Sequence, residues 1–198
     1  EFCAVKYVDE LLDYDQLDKY IDVVSQNNEY LVENIIPDYI SLSDLRYILT
    51  SLVREKVSIK NISYIFEKIN DFAEESSKSD LIKKIRLTMA RQICMNLKNE
   101  ENTICAFEVS DKTMDKFLPN FEESEDAIIR IDASFAEKLA AKITKQAKNL
   151  NIESPILVAP LEFRQLIFSL LSTYMNDITV LSREEIGNNV HLDVIEEV

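Results

Sequence analysis

Glycine is nearly absent from this sequence of 198 residues, because Gly187 is the only one. Phosphate-cradling loops, dinucleotide-binding turns and nucleophile elbows each need several positions that only a glycine backbone fits. Histidine is equally scarce, because His191 is the only one, and a single histidine rules out a multi-histidine metal site and the zinc-protease helix motif. We expect His191 to be an ordinary exposed residue. The sequence therefore argues against nucleotide-driven chemistry, and we expect no cofactor and no metal.

The three cysteines, Cys3, Cys94 and Cys105, are odd in number and widely spaced. This argues against a disulfide framework and for a reducing compartment, with each cysteine acting as a small buried hydrophobe. No apolar run approaches the roughly 20 residues of a membrane helix, and no signal-peptide pattern is present. We expect a soluble piece. Its start at Glu1 without a methionine is typical of a fragment or a cloning scar, so the parent protein can still be anchored in a membrane.

The formal net charge of −14 disfavours nucleic-acid binding, which requires clustered Lys and Arg, and suits basic protein partners or simple solubility. The charge is unevenly spread. Residues 1–57 carry twelve acids and five bases, whereas residues 78–98 carry six bases against Asp80 alone. One basic helix is therefore predicted inside an acidic protein.

Capping signals divide the first half into helices. Ser41 with Asp44 forms a capping box, Ser58 is the expected cap of the next helix, and Ser77 with Asp80 opens a third one over residues 78–98. An earlier helix is predicted over residues 14–27, ended by two asparagines.

The predicted helix 78–98 is amphipathic. Its apolar stripe runs from Ile82 to Leu97, and Lys84, Arg91 and Lys98 lie almost opposite. Arg86 falls near the apolar edge, so it either extends to solvent or pairs with an acid of a neighbouring helix, and we expect the former.

In the second half, apolar and polar residues alternate with a period of two, and short runs of β-branched residues appear. Strands are predicted over residues 103–109, 128–131, 155–159, 178–181 and 190–195, and helices over 111–120, 133–150 and 161–175, the second capped by Asp132. Residues 122–126 read as an acidic solvated loop. The predicted fold is α+β: a helical subdomain over residues 1–100, followed by a small α/β subdomain over 101–198 with a mixed sheet.

The residues alone leave two alternatives open. A carboxylate-only enzyme could gather Glu184, Glu185 and Asp193 around Mg²⁺, although adjacent acids after a strand are more often a solvated turn. An acidic scaffold or adaptor unrelated to any export machine is the other alternative. We expect a protein that is not an enzyme.

Four stretches resemble, in order, the large export-gate proteins of bacterial flagellar and virulence type III secretion systems. The longest reads LTSLVREKVSIKNISYIFEKINDFA over residues 49–73. IRLTMARQIC over 85–94 is similar to the family's "vR.alaRqI", VLSREEI over 180–186 with residues 190–195 is similar to its C-terminal motif, and residues 31–45 resemble an upstream one. The resemblance covers nearly the whole chain.

This resemblance implies the third, helical, and fourth, α/β, subdomains of a cytosolic region that follows a membrane half. In that family the cytosolic regions form a nine-membered ring at the inner membrane, receive export substrates with their chaperones, and contact other export-apparatus proteins. The family's chaperone-docking groove lies mostly between the two earlier subdomains, so the resemblance assigns no chaperone site to a residue of this chain.

The basic residues supply a hypothesis for assembly. A positive face formed by Lys83, Lys84, Arg91 and Lys98, in a protein with an acidic first half, predicts a head-to-tail interface of the kind that closes rings. A second hypothesis is that the α/β subdomain moves as a lid, with residues 99–102 and 122–126 as flexible points.

Overall fold

The structure is a computed structural model and describes residues 8–117, 133–188 and 190–198. The chain divides into two compact units between Met89 and Ala90. No helix within the described residues is both long enough and apolar enough to cross a membrane. The α+β class is confirmed. Strand 128–131, the Asp132 cap and the acidic loop 122–126 lie outside the described residues.

The first unit is helical. Its elements are α1 (Val8–Leu11), α2 (Tyr14–Ile35), α3 (Leu42–Arg54), α4 (Ile62–Phe72), a 3₁₀ turn (Ala73–Glu75) and α5 (Lys78–Thr88). The apolar faces of these helices form a buried core that includes Leu17, Leu49, Phe66, Ile82 and Ile85. Burial of such amphipathic faces, more than intrinsic propensity, holds helices of this length in place.

Several helix boundaries follow from local chemistry. Ser41 forms the predicted capping box, since its hydroxyl accepts from the Asp44 amide at 3.1 Å while the Asp44 carboxylate accepts from the Ser41 amide at 3.1 Å. The Ser77 hydroxyl accepts from the Asp80 amide at 3.2 Å and so caps α5. The predicted break at the two asparagines falls at Asn28, whose φ of −158° is not helical, but α2 resumes beyond it because the Asn28 side chain accepts from the Leu31 amide.

The predicted cap of α4 and the predicted continuity of helix 78–98 were wrong. Asn61 caps α4, not Ser58: the Asn61 side chain accepts from the Tyr64 amide, while the Ser58 hydroxyl accepts from the Lys60 amide within a loop. The long helix 78–98 is interrupted at Met89, where φ is −94° and ψ is 4°, so that α5 ends at Thr88 and α6 (Ala90–Leu97) begins a new helix.

The second unit is an α/β layer. After α6 it contains β1 (Thr103–Glu108), α7 (Asp111–Phe117), α8 (Ala133–Asn149), β2 (Ile156–Val158), α9 (Arg164–Leu171), β3 (Thr179–Leu181), α10 (Arg183–Ile186) and β4 (His191–Glu197). The strand order is β3-β2-β1-β4. Its core includes Phe107, Ile143, Leu157, Ile167 and Leu171, from strands and from helices α8 and α9.

All the strands within the described residues are parallel to their neighbours, so the predicted mixed sheet was wrong. β1 pairs with β2 and with β4 in parallel, and β2 pairs in parallel with β3. Helical segments connect consecutive strands. Such a crossover returns the chain to the edge of the sheet where the previous strand began, and parallel strands require a connection of this kind. All four strands therefore end at one edge, where side chains from distant parts of the second unit meet.

Helix α6 belongs to the second unit, although the sequence places the subdomain boundary near residue 100. Residues of α6 contact α10, and the Cys94 thiol donates to the Glu185 carbonyl oxygen at 3.1 Å. This packing explains why the compact units divide at Met89. The subdomain ranges 1–100 and 101–198 stay a prediction of where the subdomains of the related proteins begin and end.

Candidate functional site

The four basic residues of the predicted interface differ in environment. Lys83 lies 3.1 Å from an Asp80 carboxylate oxygen, and Lys84 donates to the Ser76 hydroxyl at 2.8 Å. Lys98 donates to the Asn102 side chain at 2.6 Å. These three side chains are half-buried, whereas Arg91 is exposed. Arg91 is therefore the member of the set best placed to meet another molecule.

The interruption at Met89 divides this set between the two units. Lys83 and Lys84 lie on α5 in the first unit, whereas Arg91 lies on α6 and Lys98 directly follows α6 in the second unit. A single continuous helix would have held all four in a fixed register along one face. The structure instead places two of them on α5, one on α6 and one directly after α6.

Arg86 is buried and paired, so the expectation that it extends to solvent was wrong. Its guanidinium Nη1 lies 3.1 Å from a Glu55 carboxylate oxygen, and the two side chains are 1% and 4% exposed. Glu55 follows α3 directly, which brings its carboxylate to α5 across the packed helices. Burial of either charge alone would be costly, so each residue depends on the other.

A second buried ion pair supports the edge of the sheet. Arg164 of α9 lies 3.7 Å from the Glu185 carboxylate, and both side chains are 1% exposed. Glu185 also accepts from the Ser182 amide at 2.9 Å, while the Ser182 hydroxyl accepts from the Glu185 amide, which makes a capping box at the start of α10. Burial, with the nearby Glu185, raises the pKa of the Cys94 thiol. Sequence reasoning missed this network, although Ser182 and Glu185 have capping-box spacing.

The three carboxylates of the magnesium hypothesis serve different purposes. Glu185 is occupied in the buried pair, Glu184 is exposed beside it, and Asp193 lies exposed on β4 near Cys105. Within the described ranges, no group of three His, Cys, Asp or Glu side chains is placed to hold a metal ion. His191 is exposed at the start of β4, as expected.

A cavity of about 410 Å³ lies at the carboxyl edge of the sheet, in the second unit. In open parallel sheets this edge is where ligands bind. The base is apolar, formed by the buried Val109, Val158 and Ala159. The rest of the lining is mostly charged or polar: Glu108, Ser110, Asp111, Pro160, Arg183, Glu184 and Glu197.

Arg183 and Glu108 form an exposed ion pair in this lining. The Arg183 Nε and Nη2 atoms each donate to a Glu108 carboxylate oxygen at 2.6 Å, a bidentate geometry. The Arg183 side chain is 62% exposed and that of Glu108 only 19%. The pair raises the pKa of Arg183, which stays charged at all physiological pH values. Four carboxylates and one guanidinium give the cavity a negative balance.

Comparison with known proteins decides the family. The profile of the FHIPEP family matches residues 3–191. The chain belongs to the FHIPEP family. The family match confirms the resemblance to the export-gate proteins.

The flagellar biosynthesis protein FlhA of Bacillus subtilis (strain 168) is 26% identical to this chain over 194 residues, which are 96% of the chain. The chain spans only 29% of that relative's length. The family match therefore concerns one part of proteins that are several times longer.

Solved structures of low identity show the same fold. The Shigella flexneri MxiA protein superposes with a TM-score of 0.88 at 17% identity, covering 100% of this chain and 63% of the MxiA chain. The nonameric EPEC SctV-C superposes with a TM-score of 0.82 at 19% identity, covering 99% of this chain and 60% of the other. The arrangement of a helical unit followed by a parallel α/β unit is thus shared with these proteins.

Proposed function

We propose that this chain is the ring-forming and docking part of the cytosolic region of a type III export gate, at the cytoplasmic face of a bacterial inner membrane. In that role it helps to receive and sort export substrates. The observation that carries the proposal is the family match over residues 3–191, and the likeness to the nonameric EPEC SctV-C over 99% of the chain supports it.

Electrostatic contacts between copies are part of this proposal. Arg91 is exposed on α6, and the first 57 residues carry an excess of acid. Individual exposed ion pairs contribute only about 0–1 kcal/mol, so contacts of this kind give weak association unless a membrane half raises the local concentration. Lys83, Lys84 and Lys98 are the other proposed members of the interface. Their local partners make them secondary to Arg91.

Charge reversal at Arg91 in the full-length protein tests the proposal. We expect Arg91→Glu to shift ring assembly to about tenfold higher protein concentration, because an attraction becomes a repulsion. Export of substrates into the medium should fall in parallel. Lys145→Glu is the matched control, since Lys145 is an exposed basic residue on α8 of the same unit. Unchanged assembly and export in Arg91→Glu, with rings visible by electron microscopy, would contradict the role assigned to Arg91.

The adaptor alternative is distinguished by the parent protein. An export gate should lose substrate export when the gene is deleted and regain it from the intact gene. An adaptor unrelated to secretion would leave export unchanged. This measurement addresses the family role as a whole and does not depend on any single residue of the interface.

A further inference from the structure

The cavity at the carboxyl edge of the sheet is large enough to take one long side chain. Its volume of about 410 Å³ lies within the range of small-ligand pockets, roughly 300–1,000 Å³. The apolar base of Val158 and Ala159, beside Pro160, offers a surface for an aliphatic stem. Lysine and arginine side chains pack their stems on such surfaces and keep their charged ends near polar groups.

The charge of the lining selects a cation. Glu108, Asp111, Glu184 and Glu197 contribute carboxylates, and Arg183 contributes the one guanidinium of the lining. An anion is disfavoured, even though α10 begins at this edge, because Ser182 and Glu185 already cap that helix.

Arg183 already shows how a guanidinium binds here. It holds both oxygens of Glu108 from α10, and most of its side chain is in solvent. Because most of the Arg183 side chain is in solvent, it can move outward, and an incoming guanidinium can make the same two hydrogen bonds to Glu108 in its place. Glu108 is the more shielded partner and stays at the wall of the cavity when Arg183 leaves.

We propose that this cavity docks a basic side chain, arginine in the first place, from a protein partner, and that the incoming guanidinium replaces Arg183 at Glu108. The inference deepens the docking role proposed above and takes from it only that the partner is a protein. Arg183 is then a built-in competitor that weakens the docking of basic segments.

The test is a binding measurement on the purified chain by fluorescence anisotropy. The probe is a labelled Gly-Ser peptide that carries three arginines, and the control probe has the neutral analogue citrulline in their place. We expect the double variant Glu184→Gln/Glu197→Gln to weaken binding of the arginine peptide about tenfold, since two of the four carboxylates that attract the guanidinium become neutral. Equal binding of the citrulline peptide, or no binding of the arginine peptide, would overturn the proposal.

Matched variants separate the cavity from the overall acidity of the protein. Glu137→Gln/Glu153→Gln removes two exposed carboxylates of the same unit outside the cavity. We expect this pair to change the affinity by less than about twofold, because neither carboxylate lines the cavity and salt screens exposed charges. Weakening equal to that of the cavity variant would show that binding follows net charge alone.

Arg183→Gln supplies a readout of opposite sign. Removal of the competitor should tighten binding of the arginine peptide about threefold, because both oxygens of Glu108 are then available to the incoming guanidinium. Weaker binding in this variant, with an unchanged melting temperature, would overturn the role of competitor. Failure of ring assembly in the full-length protein would leave these results standing, because they are measured on the separate chain.

Discussion

The buried ion pairs of the two units and the exposed pair at the cavity are built from the same two residue types and serve different ends. Arg86–Glu55 in the first unit and Arg164–Glu185 in the second are at most 4% exposed at each side chain. Arg183, in contrast, is 62% exposed while it holds Glu108. Charges removed from water are costly to separate, whereas charges in water exchange partners readily. The degree of burial therefore distinguishes the two ion pairs that stabilise the fold from the exposed pair, which can exchange partners.

The largest expected effect is the removal of one partner of a buried pair. Arg164→Met should lower the free energy of unfolding by about 3–5 kcal/mol, because Glu185 then keeps a buried charge without its cation. Chemical denaturation followed by circular dichroism measures this change. Arg183→Met is the control and should cost no more than about 1 kcal/mol. Similar losses in the two variants would contradict the distinction between buried and exposed pairs.

The capping box that positions Glu185 should have an intermediate effect. Ser182→Ala removes the hydroxyl that accepts from the Glu185 amide, and we expect a loss of about 1 kcal/mol. Ser182→Thr keeps an acceptor at the cap and should restore most of the stability. Thermal unfolding of both variants gives the comparison. A threonine variant as unstable as the alanine variant would show that packing, and not the cap, decides stability at this position.

The smallest expected effect is a dependence on pH in the first unit. Hydrogen bonds from Ser41 and Lys78 lower the pKa of Asp44 from 3.8 to about 2. The ionised carboxylate therefore stabilises the fold above pH 3.8, and this contribution is lost as the pH falls toward 2. Asp44→Asn should flatten the decline of stability with acid in that window. Chemical denaturation between these pH values measures the change. If the free energy of unfolding falls with pH as steeply in the variant, Asp44 does not cause the loss of stability in acid.

Local signals in the sequence were sufficient for much of the helical unit. Ser41 with Asp44 and Ser77 with Asp80 fixed two helix starts, because a cap and its partner lie within one turn. The interruption at Met89 could not be predicted from the residues, since methionine favours helices and the apolar stripe continues across it. The prediction that Ser58 caps a helix was wrong because a serine that is suitable as a helix cap can also form a turn that no helix follows.

Contacts between distant residues explain what the sequence did not reveal. Arg86 stood at the apolar edge of its helix, but its partner Glu55 lies on another element, and nothing local distinguishes a buried pair from an exposed arginine. The cavity draws on the ends of three strands and the start of α10, which meet only because the sheet is parallel. The sequence pointed to basic residues as the surface that binds another molecule, whereas the structure adds an acidic cavity.

The central claim, that this chain carries contacts of a ring, is tested most directly by sedimentation velocity of the purified chain across concentration and salt. We predict monomers at low concentration and self-association that grows with concentration and weakens with salt, because exposed charges are screened over about 10 Å at 0.1 M. A monomer under every condition would contradict the claim and would assign the ring contacts to parts of the protein outside this chain.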